Sequence, residues 1–176
     1  TYEPMLKAIF ECPIPTISAV NGPAAGAGAN LALAADIVIA SESAYFLQAF
    51  GRIGLIPDAG GTYTMPRSMG FAKALGASLF AEKIPAKKAD EWGLIWEAVP
   101  DDKFEETWRA RAEYLAKGPT LAFSQMKLAL RESWNHTLDE QLAMEAKIQG
   151  KVGRSRDFLE GVSAFLEKRP ANFEGR

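Results

Sequence analysis

The sequence predicts an α/β fold with a helical region after it. A β-branched run at residues 16–20, T-I-S-A-V, stops at the turn signal Asn21-Gly22-Pro23. Residues 24–35 are almost all Ala, Gly and Leu, which predicts a helix whose small-residue face lies close to neighbouring backbone. Residues 36–40, D-I-V-I-A, return to strand character, so strand, helix and strand follow one another as in α/β sheets joined by a right-handed crossover.

Ahead of the first strand, residues 2–10 suit the end of a helix, which Pro13 and Pro15 prevent from continuing. The chain opens on T-Y-E-P-M-L-K without an initiator Met and runs directly into amphipathic sequence, as a domain entered partway through would. Residues 41–66 hold many glycines, several aromatic residues and little periodicity, which suggests short strands and a loop leading into a helix near Gly60 or Gly61. After Gly70 the chain reads as helical. Phe104, Trp108, Ala112 and Leu115 recur at helical spacing, as do Phe123, Met126 and Leu130, and then Phe158, Val162, Phe165 and Leu166. Thr137 and Glu140 form a capping box for a helix running to about Gly150. Such stripes are core-forming, with room for an oligomer contact.

A length of 176 residues with 48% hydrophobic and 24% charged content suits an ordinary domain with a sizeable core. Residues 1–100 read as its α/β part and 101–176 as its helical part. The net charge of -2, from interspersed charges, leaves no footprint for nucleic acid or an anionic membrane surface. The single Cys12 has no intrachain partner, no apolar run approaches a span, and no signal pattern is present, so a reducing cytoplasm is expected.

Two segments are candidates for chemistry. Gly26-Ala27-Gly28-Ala29-Asn30 follows a strand and opens a helix, where free N–H groups and the helix dipole favour negative charge. The same small residues equally permit tight packing with no ligand. A dinucleotide fingerprint is set aside because Leu31 replaces the third glycine. Asp58, in G-L-I-P-D-A-G-G-T, is a carboxylate between apolar residues and paired glycines, a candidate general base. The position also suits an N-cap for a helix starting at Ala59 or Gly60. The lone His136 stands at a helix start away from any nucleophile motif, which disfavours Ser-His-Asp or Cys-His chemistry. With one His, one Cys and no carboxylate cluster, no metal site is expected. Lys168-Arg169 reads as a solvated pair unless a phosphate is brought to it.

Three stretches together resemble the crotonase, or enoyl-CoA hydratase/isomerase, superfamily: P-T-I-S-A-V-N-G-P-A-A-G-A-G-A-N-L-A-L-A-A-D at 15–36, residues 46–62, and E-G-V-S-A-F-L-E-K-R-P-A-N-F at 160–173. The resemblance implies a crotonase-like fold, a ββα spiral core followed by C-terminal helices that build trimers or dimers of trimers. It also implies that the first strands, the adenine-binding part of the coenzyme A site and one oxyanion-hole donor belong to a region preceding residue 1. In that superfamily two backbone N–H groups hold the thioester oxygen as an enolate forms, and one of them falls on Ala27. The implied acyl pocket is lined by Gly26, Gly28, Asn30, Ala49, Phe50, Leu55 and Pro57, with Tyr45 and Phe46 as further aromatic candidates or core. Phe165 and Lys168 match positions that hold the coenzyme A of a neighbouring subunit.

Hydratases of the superfamily use two glutamates, where this chain has Asn30 and Phe50. Asp58 instead matches the ring-1,2-epoxyphenylacetyl-CoA isomerase branch of phenylacetate breakdown, as do Q-A-F-G-R-I-G-L-I-P-D-A-G-G-T at 48–62 and E-W-G-L-I-W at 91–96. The implied activity is isomerisation of an acyl-CoA thioester, moving a double bond or rearranging a ring epoxide, with Asp58 as the single acid/base. Coenzyme A enters as part of the substrate, with no covalent cofactor and no metal. The alternatives are a hydratase using a carboxylate from outside this chain and a non-catalytic acyl-CoA-binding homologue.

Overall fold

In a computed structural model that describes residues 2–176, the β-branched run becomes β1 (Ile17–Val20). It pairs in parallel with β3 (Ile37–Ser41), whose other edge carries β6 (Glu97–Val99), also parallel. Thr16 sets the register: its N–H and Oγ1 donate to Asp36 Oδ2 at 2.9 and 2.8 Å, and the Asp36 N–H donates back to Oγ1 at 3.0 Å. Ile17 then lies opposite Ile37 and Val20 opposite Ala40. A slip of one residue would turn every buried side chain of this sheet to the wrong face.

The small-residue stretch is not one helix over 24–35. Its first residues form β2 (Pro23–Ala25), which pairs in parallel with β4 (Tyr45–Leu47), and only Ala27–Ala32 is helical as α2. Ala is the strongest helix former, so the pattern reads as helix. Pairing with β4 overrides that preference, and Gly26, at φ 54° and ψ -132°, makes the turn between the two elements.

The region after Gly70 is likewise not all helix. Following α3 (Gly61–Met69) and α4 (Phe71–Phe80), β5 (Lys83–Pro85) adds to β4 in antiparallel fashion, and α5 (Ala86–Glu91) leads into β6. Strands of three residues are too short to show a period of two. The core between these elements centres on Phe46 and Met65, with Val38, Ala40, Ile84, Ala86 and Ile95. Phe46 is fully buried, so it is core and does not wall a ligand. A smaller cluster joins Leu6 of α1 (Glu3–Phe10) to Ala34 and Ala59.

The chain divides into two compact units: Thr16–Ala110 with the N-terminal segment up to Cys12, and Arg111–Arg176 with Pro13–Pro15. The boundary falls inside α6 (Phe104–Ala116). In the second unit, α7 (Thr120–Glu132) meets α8 (Leu138–Val152), with Gln141 Nε2 donating to the Ala129 carbonyl at 3.1 Å. The expected capping box closes the start of α8: the Glu140 N–H donates to Thr137 Oγ1, and the Thr137 N–H donates to Glu140 Oε2 at 2.8 Å.

The last helix, α9 (Arg156–Glu167), is capped by Ser155, whose hydroxyl accepts from the Phe158 N–H. The residues after it fold back onto it. Buried Asp157 accepts from the N–H groups of Glu174 and Gly175 at 2.7 and 2.9 Å. Of Lys168 and Arg169, both expected to be solvated, Lys168 is exposed and Arg169 is paired. Arg169 forks onto Glu160 at 2.6 and 2.9 Å and also reaches Glu167, while Lys168 ends the helix in the left-handed region at φ 55°.

The Arg169 guanidinium, and then the Asn172 N–H, hold the Glu160 carboxyl down at about 2. A carboxyl depressed in the folded state stabilises it above the ordinary value near 4.5 and loses that contribution as pH falls toward about 2. Amide exchange at Asn172, whose N–H donates to Glu160 Oε1 at 2.7 Å, should therefore stay slow at pH 5 and above. Relative to the amides of α9, its protection should fade below about pH 4, a decline that Glu160→Gln should abolish.

Candidate active site

The first turn of α2 and the loop before α3 meet at one buried side chain. Gly26 donates its N–H to the Leu47 carbonyl of β4 at 2.8 Å, which fixes where the helix starts. Ala27, its first residue, is half-buried and Gly28 is exposed. N–H groups in a first helical turn have no acceptor within the helix, so they are available to an oxyanion. Phe50 belongs to a one-turn 3₁₀ helix, Ala49–Ile53, and a side chain at Gly26 would stand 3.8 Å from its ring. Phe50 is nearly buried there and Ala49 half-buried.

Asp58 begins a tight reversal. Its carbonyl accepts from the Gly61 N–H at 2.9 Å, with Ala59 at φ 46° and Gly60 at φ 81° between them. Two successive positive φ angles make a mirror-image type I turn, and the alanine in it costs about 1–2 kcal/mol relative to glycine. Ala59 is nevertheless buried against the cluster of Leu6 and Ala34. Left-handed strain of this kind persists only where the surroundings over-determine it.

Asn30, on α2, supplies one of those constraints. It is completely buried, and its Nδ2 donates to the same Asp58 carbonyl at 2.8 Å. Its Oδ1 accepts from Nε2 of Gln48 at 2.8 Å, and Gln48 is itself only 1% exposed. A methyl group at Gly61 would collide with the Asn30 side-chain amide, so the close approach of α2 to the start of α3 requires glycine.

The Asp58 side chain is exposed rather than enclosed by apolar residues, because Leu55 and Ile56 are 59% and 78% exposed and only Pro57 is buried. Nor does Asp58 cap α3: the N-cap is Gly60, and no side chain accepts there. Phe165 and Lys168 lie at the end of α9 in the second unit, both exposed. Gln48 was given no role by the sequence. Its one signal is an amide among the apolar residues Leu47, Ala49 and Phe50. Among the described residues no group of three or more His, Cys, Asp or Glu side chains could hold a metal, and no helix is long and apolar enough to cross a membrane.

The family model for enoyl-CoA hydratase/isomerase matches residues 1–176. The chain belongs to the enoyl-CoA hydratase/isomerase family. Across 99% of its length it is 62% identical to a Rhodobacter capsulatus protein named "Probable enoyl-CoA hydratase" and 47% identical to the 1,2-epoxyphenylacetyl-CoA isomerase of Escherichia coli. It spans 68% and 67% of those two proteins. The crystal structure of an enoyl-CoA hydratase from Bacillus anthracis superimposes with a TM-score of 0.94 at 34% identity, over 99% of this chain and 68% of that one. The two sheets and the helices around them are therefore the crotonase α/β fold.

Gly61→Ala should break the contact between Asn30 and the Asp58 turn. The expected loss is about 1–3 kcal/mol, that of a buried donor left unpaired, read as a lowered urea midpoint with an unchanged slope.

Proposed function

We propose that this chain is the active-site part of an acyl-CoA isomerase in which Asp58 is the single acid/base. The observation that carries the reading is the bond from Asn30 Nδ2 to the Asp58 carbonyl. Asn30 lies one turn after Ala27, and a helical turn rises only about 5 Å, so this bond ties the main chain of Asp58 to the helix start that resembles an oxyanion donor. Neither of the two positions where hydratases carry glutamate has a carboxylate. Asn30 is an amide with both ends engaged, and Phe50 is a phenyl ring, and neither takes a proton from water.

Holding the thioester oxygen at the Ala27 N–H makes the proton on the adjacent carbon acidic, because negative charge develops where a donor is already oriented. Asp58, exposed and without a hydrogen-bond partner for its carboxylate among the described residues, accepts that proton and returns it two carbons along, shifting the double bond. For a ring epoxide, as in the substrate named for the Escherichia coli relative, the same polarisation assists rearrangement while Asp58 guides a proton. Coenzyme A belongs to the substrate, with Lys168 and Phe165 as contacts in a homo-oligomer, a trimer or a dimer of trimers, in the cytoplasm.

The name of the Rhodobacter capsulatus relative favours a second reading, hydration of an enoyl-CoA. The two separate in one assay of the natural full-length protein. Isomerisation of a 3-enoyl-CoA should outpace hydration of crotonyl-CoA, and faster hydration would overturn the isomerase assignment. Asp58→Asn should lower isomerase turnover by about 10² to 10⁴-fold with acyl-CoA binding retained, as removal of a general base does. Unchanged turnover would dismiss Asp58 from the chemistry.

A further inference from the structure

We infer that Gln48 is a positioning residue, acting through Asn30 to hold the turn that presents Asp58. The inference rests on the reading of Asp58 as the acid/base.

The chain of bonds has a direction that can be derived atom by atom. The Asp58 carbonyl can only accept, so Asn30 must turn its Nδ2 toward it, where the distance is 2.8 Å. Asn30 Oδ1 then faces Gln48 and can only accept, so Gln48 must offer Nε2, again at 2.8 Å. That leaves Gln48 Oε1 buried without a hydrogen-bond partner among the described residues. A buried acceptor in that state is destabilising, because it has lost its water without gaining a donor. Turning the Gln48 amide over would set two oxygens against each other and free Asn30 to rotate. The orientation that leaves one acceptor orphaned is the one that keeps Asn30 donating to Asp58.

The turn needs this support. Ala59 is left-handed at φ 46°, and the Gly61 N–H donates across the reversal to the same carbonyl. Gln48 follows β4 directly and is 1% exposed, so it is anchored by the sheet and not by the loop it supports. The relay carries the rigidity of β4 through α2 to a loop whose residues Leu55, Ile56 and Asp58 are exposed. It also gives Asn30 a role that no carboxylate at that position could fill, since an ionised carboxylate has nothing to donate to a carbonyl.

The test is a set of variants in the natural full-length protein, assayed with a 3-enoyl-CoA. Gln48→Glu keeps the shape and, when ionised, replaces the donor with an acceptor, which sets it against Asn30 Oδ1. Gln48→Met removes the donor and leaves Asn30 free to stay. Misplacement of a reacting group by about 1 Å costs on the order of 10²-fold. Gln48→Glu should therefore lower kcat by about that factor with KM within about twofold, and Gln48→Met should cost about tenfold or less. In an Asp58→Asn background both losses should largely vanish, because a residue that acts only through Asp58 has nothing left to position.

Losses that persist undiminished in the Asp58→Asn background, or that appear in KM alone, would overturn the relay, as would wild-type kcat in Gln48→Met together with Gln48→Glu. Should Gln48→Glu fail to fold, the Gln48→Met cycle with Asp58→Asn decides alone: equal loss in both backgrounds refutes the inference. Full activity of Asp58→Asn by itself would instead refute the catalytic reading of Asp58, a separate outcome from failure of the relay.

Discussion

The bond from Asn30 to the Asp58 carbonyl joins two segments that the chain otherwise keeps apart, 28 residues from one another. Its geometry depends on the core below it. Asn30 is placed by α2, which starts where Gly26 turns and donates to β4, and α2 has only six residues in which to present both Ala27 and Asn30. The glycine at 61 leaves room for the amide, and the left-handed turn brings the carbonyl to it. Each of these features makes little sense singly. Together they describe a loop held by its main chain so that its carboxylate stays free.

That division of labour between backbone and side chain fits the proposed chemistry. A carboxylate bound into the structure by hydrogen bonds favours its ionised, accepting form and is a weak base. Glu160 illustrates the opposite design within the same chain: Arg169 and the Asn172 N–H hold it down at about 2, where it serves as an anchor for the C-terminal residues. Asp58 has its carbonyl occupied twice and no bond on its carboxylate among the described residues, which suits the acid/base role proposed for it.

The second unit is organised around helix ends. The capping box at Thr137 and the hydroxyl cap at Ser155 satisfy N–H groups that helices cannot satisfy internally, and the buried Asp157 accepts from the N–H groups of Glu174 and Gly175 in the C-terminal segment. Its apolar residues are less settled. Val162 and Leu166 of α9 are 43% and 73% exposed and Phe165 is 82% exposed, so the stripe of small period that marks the helix in the sequence is not consumed by the core of this unit.

What the amino-acid sequence determined by itself were the features that local chemistry dictates. The β-branched run became β1, the helical stripes became α6, α7 and α9, Thr137 and Glu140 closed the cap, and the loop opened into a helix at Gly61. The glycine-rich segment, the Asp58 loop and the absence of glutamate at 30 and 50 were equally legible, because each is a matter of residue type and spacing. Only the tertiary structure decided that residues 23–25 are a strand, since their partner β4 lies twenty-two residues further on and propensity alone favours helix. It also decided that Phe46 is core, that Arg169 is paired, and that Asp58 stands exposed at a strained turn. The role of Gln48 lies wholly on that side. A hydrogen bond between distant side chains has a direction set by the last acceptor in the chain, and no local pattern contains that acceptor.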